Sequence, residues 1–299
     1  MSADATARRL AHLGMVLWAI LVGLSFPAVG LMSELPPFLL TSLRFAIACA
    51  GLWWLARRSP SFLPPWRVLP LYALMGLCLA GFFGAMFWAA HLATALSMAT
   101  LFVTVPLLAF LLGLGFRVEQ LSWRLPAILA LGAVGALGLA FAESFQRGGQ
   151  IRFGIGEAVF FLGCLSTALY PVLSKWGLAS GRLPDSAAVR TFWSLGLGGI
   201  LIGLLGLAIE PVSRLAAMTG RDVLLLVYLG LFSSALTFWL MQRATSALTP
   251  GAVTAYGYLV PFVSMLLLFI QSPERLGWVW LPGSLLVVIA MGLLVRRDA

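Results

Sequence analysis

Ten apolar runs parted by short connections constrain this chain more than any other feature. A helix that crosses a bilayer needs about 20 consecutive apolar residues, because hydrocarbon offers no partner to a bare backbone N–H or C=O. Runs of that length lie at 11–32, 36–56, 68–90, 94–114, 124–142, 154–176, 186–209, 222–242, 250–271 and 276–295. We number these predicted spans 1 to 10. Pro36, Pro70, Pro126, Pro184 and Pro250 sit where a first helical turn needs no N–H. The chain is 61% hydrophobic and only 10% charged, against about 25% charged residues in soluble domains. So few charges cannot cover a water-facing surface, and lipid is the expected solvent. Arg8 and Arg9 precede the first run as they would in a signal peptide. That run continues through Met32 with no small-residue cleavage site, which predicts a permanent helix.

The net charge of +9 is spread over the connections rather than gathered on one face, which excludes a nucleic-acid partner and points to membrane topology. With the N-terminus inside, thirteen of the 19 Lys and Arg residues fall on the cytoplasmic side. Arg147, Arg152, Arg214, Arg221 and Arg275 fall on the other, and Arg44 is left inside span 2. Both termini are expected in the cytoplasm, which requires an even number of helices. Cys49, Cys78 and Cys164 each sit inside an apolar run with no ligand spacing; they read as packing residues, and no metal is expected.

The chain also repeats itself. Glu119-Gln120-Leu121-Ser122-Trp123 recurs as Glu274-Arg275-Leu276-Gly277-Trp278, and at the same offset Pro106 matches Pro261. Phe87-Trp88 corresponds to Phe238-Trp239, Phe26-Pro27 to Tyr170-Pro171, and Leu35-Pro36 to Leu183-Pro184. Five pairs in one order indicate two related halves, 1–146 (spans 1 to 5) and 147–299 (spans 6 to 10). An odd number of helices per half forces the halves to insert with opposite orientation. The predicted fold class is therefore an all-α integral membrane protein of ten transmembrane helices in two inverted five-helix repeats. Such symmetry suits alternating access in a transporter and serves no general need of an enzyme or a scaffold. His12 and His91, with no clustered carboxylates, leave little for metal or acid–base catalysis.

The helix pattern and the segments Thr94–Pro106, Glu119–Trp123, Ser246–Pro261 and Glu274–Trp278 resemble the drug/metabolite transporter superfamily, and within it the EamA-type branch. The chain looks most similar to the YddG-type exporters of aromatic and other neutral amino acids. That resemblance implies efflux across a bacterial inner membrane and a central cavity formed by spans 1, 3, 4, 6, 8 and 9. Exporters of other metabolites or drugs within the superfamily are the alternative. Where many relatives carry an acidic residue before the ninth-helix proline, this chain reads Leu259-Val260-Pro261.

Paired helix interruptions in the two halves point to a transporter's binding site. Pro27 with Pro171, and Pro106 with Pro261, meet that description and are the predicted hinges. On the same spans, helical spacing puts Thr100 with Thr104, Ser166 with Tyr170, Ser234 with Thr237, and Thr254 with Tyr258. Ser25 and His91 add polar groups. Trp18, Phe83, Phe87, Trp88, Phe238 and Trp239 can stack on an apolar side chain. Gly132, Gly135, Gly138, Gly199 and Gly203 read as surfaces for close helix packing. No phosphate-binding G-x-x-x-x-G-K-[ST] motif exists, so neither ATP, another cofactor nor an ATPase subunit is implied. All ten acidic residues lie near span ends, which favours a facilitator or exchanger over a proton pump. The expected partners are a small-molecule substrate and the lipid bilayer, and the sequence carries no signal for oligomeric state.

Overall fold

The computed structural model describes residues 3–145, 154–271 and 277–298. Among them, ten helices are long and apolar enough to cross a membrane. They are α1 (Ala3–Gly30), α2 (Pro37–Arg57), α3 (Leu69–Ala89), α4 (Ala95–Gly115) and α5 (Arg124–Phe145) in the first half of the chain. In the second half they are α6 (Ile155–Ala179), α7 (Ala187–Ile209), α8 (Gly220–Ala247), α9 (Pro250–Leu267) and α10 (Trp280–Asp298). Large apolar side chains such as Leu201, Leu204 and Leu205 on α7 and Leu285 and Val288 on α10 face outward, as a lipid-facing surface requires.

Most boundaries follow the apolar runs, and the departures have local causes. Pro184 does not open α7. Ser186 caps that helix instead, its hydroxyl accepting from the Val189 N–H at 3.4 Å. α8 starts earlier than expected because Thr219 and Asp222 form a capping box. α6 ends in a turn where Gly181 takes a left-handed φ of 67° and the N–H groups of Arg182 and Leu183 both return to the Gly177 carbonyl. The proposed boundary at 146/147 lies outside the described residues, as do Arg147, Arg152, Glu274, Arg275 and Leu276.

The principal helix neighbours obey an exchange rule. α3 packs on α6 and α7, and α8 packs on α1 and α2; α4 packs on α6, and α9 on α1. The pairs α2–α7, α4–α9 and α5–α10 complete the bundle. Replacing each helix by the one five places along reproduces the same set, as an inverted repeat must. Glycines allow the tightest crossings. A Cβ on Gly76 of α3 would stand 2.6 Å from the Gly198 backbone nitrogen of α7, and one on Gly135 of α5 would stand 2.9 Å from the Gly283 carbonyl of α10. Gly132 lies against the Tyr258 ring and Gly199 against Phe45, so these predicted surfaces do pack closely.

Three helices are internally irregular. α4 breaks at Val103–Thr104, immediately before Pro106. α9 breaks through a 3-10 turn at Tyr256–Tyr258, before Pro261. α8 carries a π-helical turn over Leu231–Leu236, which the sequence reading did not anticipate. α1 and α6, by contrast, run helically through Pro27 and Pro171. Pro27 lies near the end of α1, where little ladder remains to disturb. Pro171 lies deep in α6 and deprives the Thr167 carbonyl of its partner four residues on.

Candidate functional site

The sequence-derived residues do not form one shell. A line of aromatic rings runs through the first half-bundle into the second. Phe87 meets Phe83 at 6.3 Å between centroids, Phe83 meets Phe45 edge-on at 5.4 Å, and Phe45 meets Phe238 at 6.2 Å. Phe238 then meets Tyr170 edge-on at 5.9 Å. The Tyr170 hydroxyl pairs with Ser194 Oγ at 2.9 Å. Edge-to-face contacts of this kind hold rings in fixed orientation. α2 supplies Phe45 and α7 supplies Ser194, although neither helix was expected to line a cavity.

Arg44 of α2 lies beside this line. Its guanidinium sits 5.6 Å from the centre of the Phe83 ring. Nε donates to Ser234 Oγ at 2.5 Å, and Nη2 donates to the Ser233 carbonyl at 2.7 Å and to Ser233 Oγ at 2.9 Å. These acceptors belong to the π-helical turn of α8. A π turn interrupts the regular i to i−4 ladder; here the Ser233 carbonyl also takes the Thr237 hydroxyl at 2.9 Å. Ser234 is fully buried, so the sequence-derived pair Ser234 and Thr237 serves the turn and the arginine rather than an open surface.

A second group gathers at the breaks of α4 and α9. Thr104 returns its hydroxyl to the Leu101 carbonyl at 2.6 Å, and Thr254 bonds the Pro250 carbonyl at 2.8 Å. Both stabilise their own helices. The Thr100 hydroxyl and the Tyr258 hydroxyl are buried without a hydrogen-bond partner. Leaving a buried polar group unpaired costs about 1–3 kcal/mol, so these two hydroxyls are suited to meet a ligand. Trp18 is buried in the core, and Ser25 bonds back to the Val22 carbonyl.

Other sequence-derived residues lie apart. Trp88 is substantially exposed, and His91 lies past the end of α3 on the surface. Pro27 is exposed, and Ser166 bonds back to the Leu162 carbonyl. Trp239 lines an apolar depression between α2 and α8, with Arg243 over its ring at 5.5 Å.

Sequence reasoning assigned Arg190 to a cytoplasmic connection. It lies instead in the first turn of α7, fully buried. Its donors reach Gln242 Oε1 at 3.0 Å, the Gln242 carbonyl at 2.6 Å, the Pro184 carbonyl at 2.6 Å and Ser246 Oγ at 2.9 Å. Ser174 completes the network on Gln242 at 2.5 Å. Apolar sequence context alone cannot show which side of α7 faces α8, and that phase decides whether Arg190 is wet or buried.

Polar contacts join the two halves at both ends of the bundle. At the end where α2 and α8 begin, Glu210 accepts from the N–H groups of Phe38 and Leu39 at 2.8 and 2.9 Å, and Asp222 accepts from the Ser33 N–H at 2.9 Å. At the other end, His12 Nδ1 pairs with the Tyr256 hydroxyl at 2.6 Å, and Glu119 accepts from the Gly251 N–H at 3.1 Å. Arg8 donates to the Asp298 carbonyl at 3.2 Å, so both termini lie at this end. Burial holds the Glu119 carboxyl above its ordinary pKa, against the pull of Thr249, the Gly251 N–H and Arg297.

Residues 154–296, which carry α6 to α10, match the EamA-like transporter family. Protein PecM of Dickeya dadantii (strain 3937) is 26% identical over 246 residues, covering 79% of this chain and 78% of PecM. A solved crystal structure shares the fold with a TM-score of 0.77 at 22% identity, over 99% of both chains.

Proposed function

We propose that this chain is a membrane transporter of the EamA family and that it exports small neutral solutes with an apolar or aromatic side chain, amino acids foremost, as the YddG-type exporters it resembles do. One observation carries the reading. Phe87, Phe83, Phe45, Phe238 and Tyr170 form a continuous aromatic line through the middle of the bundle, with helices of both halves contributing. A flat apolar side chain can replace one ring contact by another as it moves. The buried, unpaired hydroxyls of Thr100 and Tyr258 offer hydrogen bonds to a polar end.

The halves are 1–146 and 147–299, with both termini in the cytoplasm of a bacterial cell. They alternate by bending at the α4 and α9 breaks beside Pro106 and Pro261, more than at Pro27 and Pro171, where the helices run on. A solute drives this only if it binds the states unequally. The test is counterflow of labelled phenylalanine in liposomes holding this protein alone. Uptake against excess internal phenylalanine, absent from empty liposomes, supports the proposal. Exchange confined to solutes that lack an apolar side chain refutes it.

A further inference from the structure

We infer that Arg44 is the anchor for a substrate carboxylate, so that the transported class is apolar carboxylates: amino acids or simple monocarboxylates with an apolar side chain. The inference rests on the proposed function and deepens it: the polar end of the solute is a carboxylate, whether or not an ammonium balances its charge.

A guanidinium stays charged in a protein, and a charged side chain within a membrane span is costly unless it pairs. Arg44 pairs with no carboxylate among the described residues. Its acceptors, the Ser233 carbonyl and hydroxyl and the Ser234 hydroxyl, are all neutral. Nε and Nη2 are thereby used, while Nη1 donates to no described residue. The positive group is held rigidly with one pair of donors free.

Its direction excludes the usual escape of a membrane arginine, which is to extend towards the nearer interface. Arg44 lies seven residues beyond Pro37, about 10 Å along α2 at 1.5 Å per residue. Ser233 lies thirteen residues beyond Gly220, about 20 Å along α8. Asp222 bonded to Ser33 shows that both helices start at the same end. The side chain therefore reaches inward, towards the middle of the bilayer. There it lies over Phe83, within the aromatic line that would receive an apolar side chain. A planar fork beside a stacking surface matches a molecule that is a carboxylate at one end and apolar at the other.

The experiment is counterflow of phenylalanine, 3-phenylpropionate and phenylalaninamide in liposomes holding the full chain, with wild type and the variants R44Q and R44K. The expected result is exchange of carboxylate-bearing solutes, with the amide at least about tenfold weaker, as loss of a charged hydrogen-bonded pair implies. Exchange of phenylpropionate as well as phenylalanine identifies the carboxylate as sufficient; exchange of phenylalanine alone assigns the class to amino acids, and either supports the anchor. R44Q is expected to erase the preference and R44K to keep part of it. Should R44Q fail to fold, the wild-type comparison still decides. Equal exchange of phenylalanine and its amide by wild type overturns the Arg44 assignment and leaves the proposed function standing. Exchange of none of the three removes both.

Discussion

Placing alanine at Gly76 tests the crossing that seats α3 against α7. A Cβ there would lie 2.6 Å from the Gly198 nitrogen and 3.1 Å from both the Leu197 carbonyl carbon and the Ser194 oxygen. Ordinary contact begins near 3.4 Å, and all three obstacles are backbone atoms that no rotamer change can move. The helices must separate by most of an ångström. Overpacking of this kind costs about 1–3 kcal/mol, and a contact that cannot repack belongs at the upper end. Against this, alanine gains about 1 kcal/mol of helix propensity over glycine, leaving a net loss of roughly 2 kcal/mol. Gly84, on the same helix, supplies the control. Its Cβ would meet only Leu205 Cδ2 at 3.9 Å, so Gly84→Ala keeps the propensity gain. The two variants should differ by about 3 kcal/mol, or roughly 6 °C in melting temperature for a chain of this size. Melting curves followed by tryptophan fluorescence in detergent micelles read that difference. Gly76→Ala melting at or above Gly84→Ala would refute the backbone contact.

Two further outcomes follow from the buried polar groups. Arg190→Met should lower stability by about 1–3 kcal/mol, because it strands acceptors of Gln242 and Pro184 inside the bundle; unchanged melting and unchanged yield of folded protein on gel filtration would contradict the network. The folded-state pKa of Glu119 is raised by burial, so its contribution to stability is complete below the unfolded carboxyl's pKa and is lost as pH rises through the folded value. Glu119→Gln keeps the acceptor for the Gly251 N–H and removes the titration. It should therefore melt increasingly above wild type as pH rises from the unfolded carboxyl's pKa to the folded one, and a gap that shrinks with rising pH would show the opposite sign.

What the sequence disclosed and what it hid divide along physical lines. Helix number and position are one-dimensional properties: a bilayer sets the run length, and prolines such as Pro70 and Pro250 sit at first turns, while Pro36 falls one place early, at the N-cap of α2. The breaks in α4 and α9 were legible for the same reason, since Pro106 and Pro261 recur at one offset. Helix phase is a property of pairs. Whether Arg190 or His91 faces in depends on what α8 or lipid presents opposite, and the sequence reading had only spacing within each helix. The π turn at Leu231–Leu236 was invisible because Leu, Phe, Ser and Ala fit a regular helix equally well. Its one trace was Arg44, a solitary charge inside span 2, which topology left unassigned. Phe45 and Ser194 were missed because resemblance directed attention to spans 1, 3, 4, 6, 8 and 9. The repeated E-x-L-x-W segment proved peripheral: Leu121, Trp123 and Trp278 are largely exposed, while Glu119 is buried.

Glu210 with Asp222 at one mouth, and Glu119 with His12 at the other, have a consequence for vectorial work. In this conformation both mouths are fastened at once, each by bonds that reach across the two halves. Opening either side breaks hydrogen bonds to a carboxyl group, at about 1.5–3 kcal/mol for each that involves a charge. Neither exit is privileged by its clasp. If the chain transports as proposed, net flow takes its sign from the cargo's own concentration difference, and the protein sets only the pace.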